Sequence, residues 1–433
     1  MPRLRPTAGV PIAVRPARSL LACLLVTGAL WPAAPAAALT ADSTLASSLA
    51  RNMRPAGGAS GAIVVDETNG RVLFALRPDA ARVPASNQKL YTTSTALLRY
   101  GPGGTLATRV LGVGSLDPSG TFNGTLYLRG GGDPTFGSMS FTRRAYGTGG
   151  TAADLARRLA AAGIRRVRGS VLGDESAFDR RRGGSSFGIS LDIGGPLSAL
   201  SFNRGLASES GGGFQSRPAT FAAAQLTLAL RGRGIAVTGS PGERATPPGA
   251  RELAREPSPP MSTLIGLTNR PSDNFFAEML LKDLGATFLH RGTTAGGAAV
   301  VRARMAQLGI HPRVADGSGL SRSNRTTPRD VVRLLSAMDH SPTVASAFRN
   351  SLSVAGRSGT LAPRMRGTVA AGRCRGKTGT LSGASALSGY CDAVGGRRLA
   401  FSILMNGVSV SSARALQNAM AVAVARYPVS RAG

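Results

Sequence analysis

Lysine is nearly missing from this chain. Lysine and arginine together number 52, yet only Lys89, Lys282 and Lys377 are lysine. Arginine cannot give up its proton in a protein, so an amine base can stand at three positions only. Histidine is as scarce. His290, His311 and His340 stand in no pattern that suggests a Ser-His-Asp triad. Three cysteines and no Cys/His cluster exclude zinc of ordinary spacing, and neither a metal nor another cofactor is expected. Aromatic residues make up 5% of the chain and are not interleaved with the arginines. That argues against nucleic acid as the partner of a formal net charge of +30. An anionic surface, such as a cell-wall polymer, suits the charge better. A coding bias toward arginine, alanine and glycine accounts for it equally well.

No stable membrane span is expected. The apolar run Leu20 to Trp31 is too short, and it sits where an export signal would. A basic stretch ends at Arg18, and Ala36-x-Ala38 is a small-residue cleavage site, so residues 1–38 read as a signal peptide. A retained N-terminal anchor is the alternative. The chain is therefore expected outside the cytoplasm, in a periplasmic or extracellular, wall-associated place. Losing Arg3, Arg5, Arg15 and Arg18 would leave +26. Losing Cys23 would leave Cys374 and Cys391 in an oxidising compartment. A hairpin turning at Ser382-Gly383 would set those two opposite each other, and a disulfide is expected there.

A length of 433 residues suggests two domains. Gly61 to Asp66 and Val72 to Leu76 read as a hairpin around Asn69-Gly70. A helix follows through Leu98. At Gly101-Pro102-Gly103-Gly104 the texture changes to short strands and turns. Residues 104–256 read as an insertion, splitting one domain into 39–103 and 257–433. Within it, Ala152 to Ala162 and Ala219 to Leu230 are expected helices, Val167 to Leu172 a strand, 180–216 loop, and Pro241 to Pro260 a return linker. Later helices are expected over 275–284, 293–308, 328–338 and 412–425, with strands from Lys377, Ala384 and Leu399. The class is α/β.

Three short motifs carry chemistry. Ser86-x-x-Lys89 opens a helix, where positions three apart share a face, so hydroxyl and amine can touch. A serine attacks only when a base takes its proton, and a lysine serves only with a lowered pKa. Ser272-x-Asn274 alone is also a helix cap. Lys377-Thr378-Gly379 alone is also a strand start. Two other matches fail: Gly184-x-Ser186-x-Gly188 follows no strand, and Gly372 to Thr378 lacks one glycine of a phosphate loop.

Together the three motifs match the Ser-x-x-Lys, Ser-x-Asn and Lys-Thr-Gly set of acyl-serine enzymes. With Gly130 to Pro134, Asp174 to Phe178 and Asp316 to Arg322, the chain resembles the low-molecular-mass class C penicillin-binding proteins, D-alanyl-D-alanine carboxypeptidases and endopeptidases. The resemblance implies a penicillin-recognising, β-lactamase-like fold. This is an antiparallel five-stranded sheet flanked by helices, with an inserted second domain. Many relatives carry a third domain, which the short stretch 205–216 would replace. The implied partners are peptidoglycan stem peptides and β-lactams. Ser86 would be the nucleophile and Lys89 its base. Ser272, Asn274 and Lys377 would complete the catalytic set. The N–H groups of Ser86 and Thr380 would hold the oxyanion, beside Gly379. Thr378 with Lys377 or Arg322 would bind the terminal carboxylate, and Asp174 the amino end of the peptide side chain. A β-lactamase or esterase on the same fold, and a non-catalytic wall-binding protein, are the rival readings.

Overall fold

The computed structural model describes residues 36–184 and 188–427. The signal-peptide reading up to residue 35 and the match at Ser186 lie outside the described residues. Gly61–Asp66 is apolar at nearly every position, the mark of a strand buried on both faces. Ile63 and Val65 face one core, Ala62 and Val64 the other. Around it forms an antiparallel sheet in the order 353–354, 374–381, 384–392, 398–406, 61–66, 72–76. The expected five strands are thus joined by a sixth, the two-residue edge Ser353–Val354.

One face of the sheet is covered by helices Gln88–Tyr100, Met261–Asn269, Asn274–Leu289, Thr294–Ala306 and Pro328–Asp339. The other is covered by Ala36–Met53 and Val410–Ala425. Sequence reading missed the first of these, whose start overlaps the expected cleavage site. Leu45, Leu49 and Met53, four apart, lay its apolar stripe on that core.

Residues 107–257 build a second, mixed sheet under helices Ala152–Ala161 and Pro218–Arg231. The strand expected over 167–172 is two, Arg166–Arg168 and Val171–Asp174, broken at Gly169, whose φ is +155°. The expected linker is also corrected. Within 241–260 lies the strand Arg251–Pro257, paired to Ala107–Leu116. Its charged residues suit a sheet edge, and its proline falls at the end, where no ladder bond is lost.

The insertion is anchored to the first core by Phe178, Ile193 and Leu197. Lys282, fully buried, donates to Asp179 Oδ1 (2.6 Å) and the Arg181 carbonyl (2.6 Å). One of the three lysines is thus a structural tie between the two parts.

Cys374 and Cys391 are register partners across the hairpin and are joined, with S–S 2.02 Å. Closing a loop with a sequence separation of 17 restricts the unfolded chain. Changing both to serine is expected to lower unfolding free energy by about 2–4 kcal/mol in denaturant melts. Two free thiols in the unreduced protein, read by mass spectrometry, would refute the bridge.

Candidate active site

Ser86 does not sit on the helix itself. It lies in the tight turn Ala85–Asn87 that leads into Gln88–Tyr100. Ala85 is left-handed, with φ +47°, at a cost of roughly 1–2 kcal/mol for a residue with a Cβ. The turn is held from below. Asn87 Nδ2 donates to Ser388 Oγ (2.7 Å), which donates to Ser402 Oγ (2.9 Å) in the middle of the sheet. Beside it runs the strand Cys374–Leu381. A Cβ on Gly379 would stand 2.7 Å from the Pro84 carbonyl and 3.0 Å from the Ser86 nitrogen. Only glycine lets this strand lie so close. Gly379→Ala is expected to push the serine turn aside and slow acylation about 10²-fold, measured with a penicillin reporter.

Lys89 is fully buried, with Nζ 3.1 Å from Ser86 Oγ. Its other partners are Asn274 Oδ1 (2.6 Å) and the Ser318 carbonyl (2.7 Å). Asn274 Nδ2 donates to the Asp192 carbonyl (2.8 Å), which fixes which end of the amide faces the lysine. Both of these partners of Lys89 are acceptors only. With the amine neutral, these two acceptors would take its two N–H bonds and its lone pair would face the serine. Burial lowers the Lys89 pKa to about 8, against the opposing pull of Glu278, Asp316 and Asp273.

Asn274 opens helix Asn274–Leu289, and Asp273 caps it by accepting from Phe276 N (3.0 Å). The stretch 272–274 is therefore both a cap and a part of the site. Asp273 is clamped by Arg204 through both terminal guanidinium nitrogens, at 2.5 and 3.0 Å. Ser272 has φ +64° and is half-buried. Among the described residues its hydroxyl makes no hydrogen bond to Ser86 or Lys89; the neighbouring Asn274 ties it to them.

The loop 316–324 closes the third side. Glu278, buried in the same helix, accepts from Gly317 N (3.0 Å) and Ser318 N (2.8 Å), and so aims the Ser318 carbonyl at Lys89. Burial, with nearby Asp316, raises its pKa to about 7. Asp316 accepts from Gly319 N (2.8 Å), Ser321 N (2.6 Å) and Asn324 Nδ2 (2.7 Å). Sequence reading missed Glu278, Asp192 and Arg204. The first had a signal, a carboxylate set in the apolar run 275–281 of its helix. The other two come from the stretch expected to be only loop, with nothing local to mark them.

Lys377 is fully buried and donates to the Thr378 carbonyl (2.9 Å). Burial, and then the charge of Lys89, push its amine well below the usual lysine range. Thr378 Oγ1 donates to Thr360 Oγ1 (2.8 Å), and Thr380 Oγ1 accepts from Arg414 (3.3 Å). Arg322 donates to the Ser382 carbonyl at the hairpin tip.

Asp174 stands apart from this cluster. It is buried at a strand end of the second sheet, not exposed on a loop. Its carboxylate accepts from Ser176 N (2.8 Å) and Thr246 N (2.9 Å), with Arg129 at 3.7 Å. It lines a cavity of about 110 Å³ together with Glu175, Arg180, Glu243 and Arg244. His290 and His340 fall at helix C-termini, away from the serine.

A serine on a sheet-braced turn, a buried amine against it and a glycine-thinned strand alongside place this chain among the active-serine enzymes of the penicillin-recognising fold. The profile described as the D-Ala-D-Ala carboxypeptidase 3 (S13) family matches residues 42–208 and 212–427. The chain is 31% identical to a D-alanyl-D-alanine carboxypeptidase of Actinomadura sp. (strain R39), over 86% of this chain and 82% of the relative. A carboxypeptidase of Mycolicibacterium smegmatis, DacB, is 28% identical over 83% and 79%. In fold, the chain is similar to penicillin-binding protein 4 of Haemophilus influenzae. The TM-score is 0.72 at 20% identity, covering 88% of this chain and 99% of that one. The chain belongs to the S13 family of D-Ala-D-Ala carboxypeptidases and is a serine-type peptidase.

Proposed function

We propose that the protein removes the terminal D-alanine from peptidoglycan stem peptides through an acyl-Ser86 intermediate, and that penicillins acylate the same serine. The observation that carries the reading is a buried Lys89 amine whose Nζ lies 3.1 Å from Ser86 Oγ and donates to two carbonyl oxygens beside it. Lys89 accepts the hydroxyl proton as Ser86 attacks the carbonyl carbon of the penultimate D-alanine. The N–H groups of Ser86 and Thr380 receive the developing oxyanion. Ser272 passes a proton to the leaving amine, and Lys377 supplies positive potential beside it. Thr378, with Lys377 or Arg322, receives the free carboxylate. Water then releases the acyl group. Asp174, in the cavity it shares with Glu175, Arg180, Glu243 and Arg244, would meet the amino end of the peptide side chain.

The protein acts outside the cytoplasm, a reading supported by the basic and apolar start of the sequence and by the disulfide. Among the described residues no helix is long and apolar enough to cross a membrane.

The test is to label the mature protein with a fluorescent penicillin, digest it and map the adduct. In parallel, D-alanine release from a peptide ending in D-Ala-D-Ala is followed. One adduct on the peptide containing Ser86, together with D-alanine release, is expected. Neither adduct nor release would end the acyl-serine reading. Rapid hydrolysis of the penicillin without D-alanine release would move the β-lactamase to first place.

A further inference from the structure

A second recess lies on the far side of the serine helix, where that helix and Asn274–Leu289 meet the second sheet. It encloses about 420 Å³. Three arginines line it: Arg129, Arg109 and Arg255. They come from three adjacent strands and are direct register partners, Arg109 facing Arg129 on one side and Arg255 on the other. Residues directly opposite in a sheet point to the same face, so the three guanidinium groups form one row. Like charges placed this way destabilise a sheet. Scatter from an arginine-rich composition does not select three neighbouring register positions that all open into one cavity.

The row is poorly neutralised from within. Glu252 reaches Arg109 at 3.2 Å but is itself 44% exposed. Asp174 lies 3.7 Å from Arg129, with its oxygens already receiving two backbone N–H groups. Among the described residues no carboxylate pairs with Arg255. The one carboxyl group in the lining, Asp283, is closed off by hydrogen bonds from Tyr100 (2.6 Å) and Thr287 (3.5 Å). Burial raises its pKa to about 7, which weakens it as a competing anion.

We propose that this recess binds a phosphate group carried on an anionic polymer or surface. A single guanidinium fork satisfies a carboxylate, which offers two oxygens. Three forks around one recess suit a tetrahedral anion, whose oxygens point in several directions. The site lies outside the serine cluster, so it would hold the enzyme on a phosphate-bearing surface while the cleft works on peptide. Its basis is independent of the acylation chemistry.

The test compares wild type with the triple variant Arg109→Gln, Arg129→Gln, Arg255→Gln. A control removes the same charge from exposed Arg51, Arg333 and Arg426. Binding is measured at fixed salt to a short poly(glycerol phosphate), to phosphatidylglycerol vesicles and to polygalacturonate. Penicillin labelling, expected unchanged in both variants, reports intact folding. The triple variant is expected to bind a phosphate probe about 30-fold more weakly, and the control less than about 3-fold. Loss on poly(glycerol phosphate) assigns the site to a polymer, loss on vesicles to lipid headgroups. Equal losses in variant and control would overturn the site as diffuse surface charge. Polygalacturonate binding as tightly, with the same loss, would overturn the choice of phosphate.

Discussion

Replacing Lys89 with arginine is expected to slow penicillin acylation about 10³–10⁴-fold while Ser86 stays in place. Arginine keeps the positive charge and donor groups but has no lone pair to offer near neutral pH. The substitution thus separates a base from a mere cation. In the wild type, a Lys89 pKa of about 8 leaves roughly one-tenth of the amine neutral at pH 7. The acylation rate is therefore expected to climb about tenfold per pH unit below that point and to level off above it. Stopped-flow acylation between pH 5.5 and 9.5 gives the profile. A flat profile, or an arginine variant of near-normal rate, would remove Lys89 from the role of base.

Glu278 produces the second large effect, and two substitutions divide its work. Glu278→Leu leaves the buried N–H groups of Gly317 and Ser318 without an acceptor, at roughly 1–3 kcal/mol each. It also releases the Ser318 carbonyl from its aim at Lys89. The folded protein is expected to lose about 2–6 kcal/mol of stability, and acylation to collapse with it. Glu278→Gln retains an oxygen for both N–H groups but not the charge. Because that carboxylate raises the Lys89 pKa, its removal lowers the pKa further. The acid limb of the acylation profile is then expected to move below that of the wild type. Glutamine would thus act faster than glutamate at about pH 7.5, where the wild-type carboxylate is charged, relative to its own plateau. An unchanged or upward-shifted midpoint would show that Glu278 works through the loop alone.

Much of the site was legible because its key spacing is short. Ser86 and Lys89 are three residues apart, and the near-absence of lysine marked the second as needed for its amine. The strands of the first sheet announced themselves through apolar runs such as 61–66, buried on both faces. The edge strand 251–257 did not, because charges and prolines that look like a linker are what an exposed edge tolerates. Arg204 and Asp192 were invisible for another reason. They meet Asp273 and Asn274 across 69 and 82 residues, and only the packing of the insertion on the first core joins them. The surroundings of Asp174 were not legible in its short stretch. Its burial and filled hydrogen bonds follow from where the strand ends, not from its neighbours in sequence.

All three lysines are wholly buried. Apart from a terminal α-amino group, the described surface therefore presents no primary amine at all. Acylating esters, aldehydes and amine-directed cross-linkers have nothing on the outside to modify. A surface so blank to amine reagents makes those reagents selective by default: whatever side-chain amine they reach lies in the serine cluster or at the tie to Asp179. A small activated ester that modified a side-chain amine would therefore have reached Lys89, Lys377 or Lys282. The same described surface offers no lysine for covalent attachment to a wall or a support.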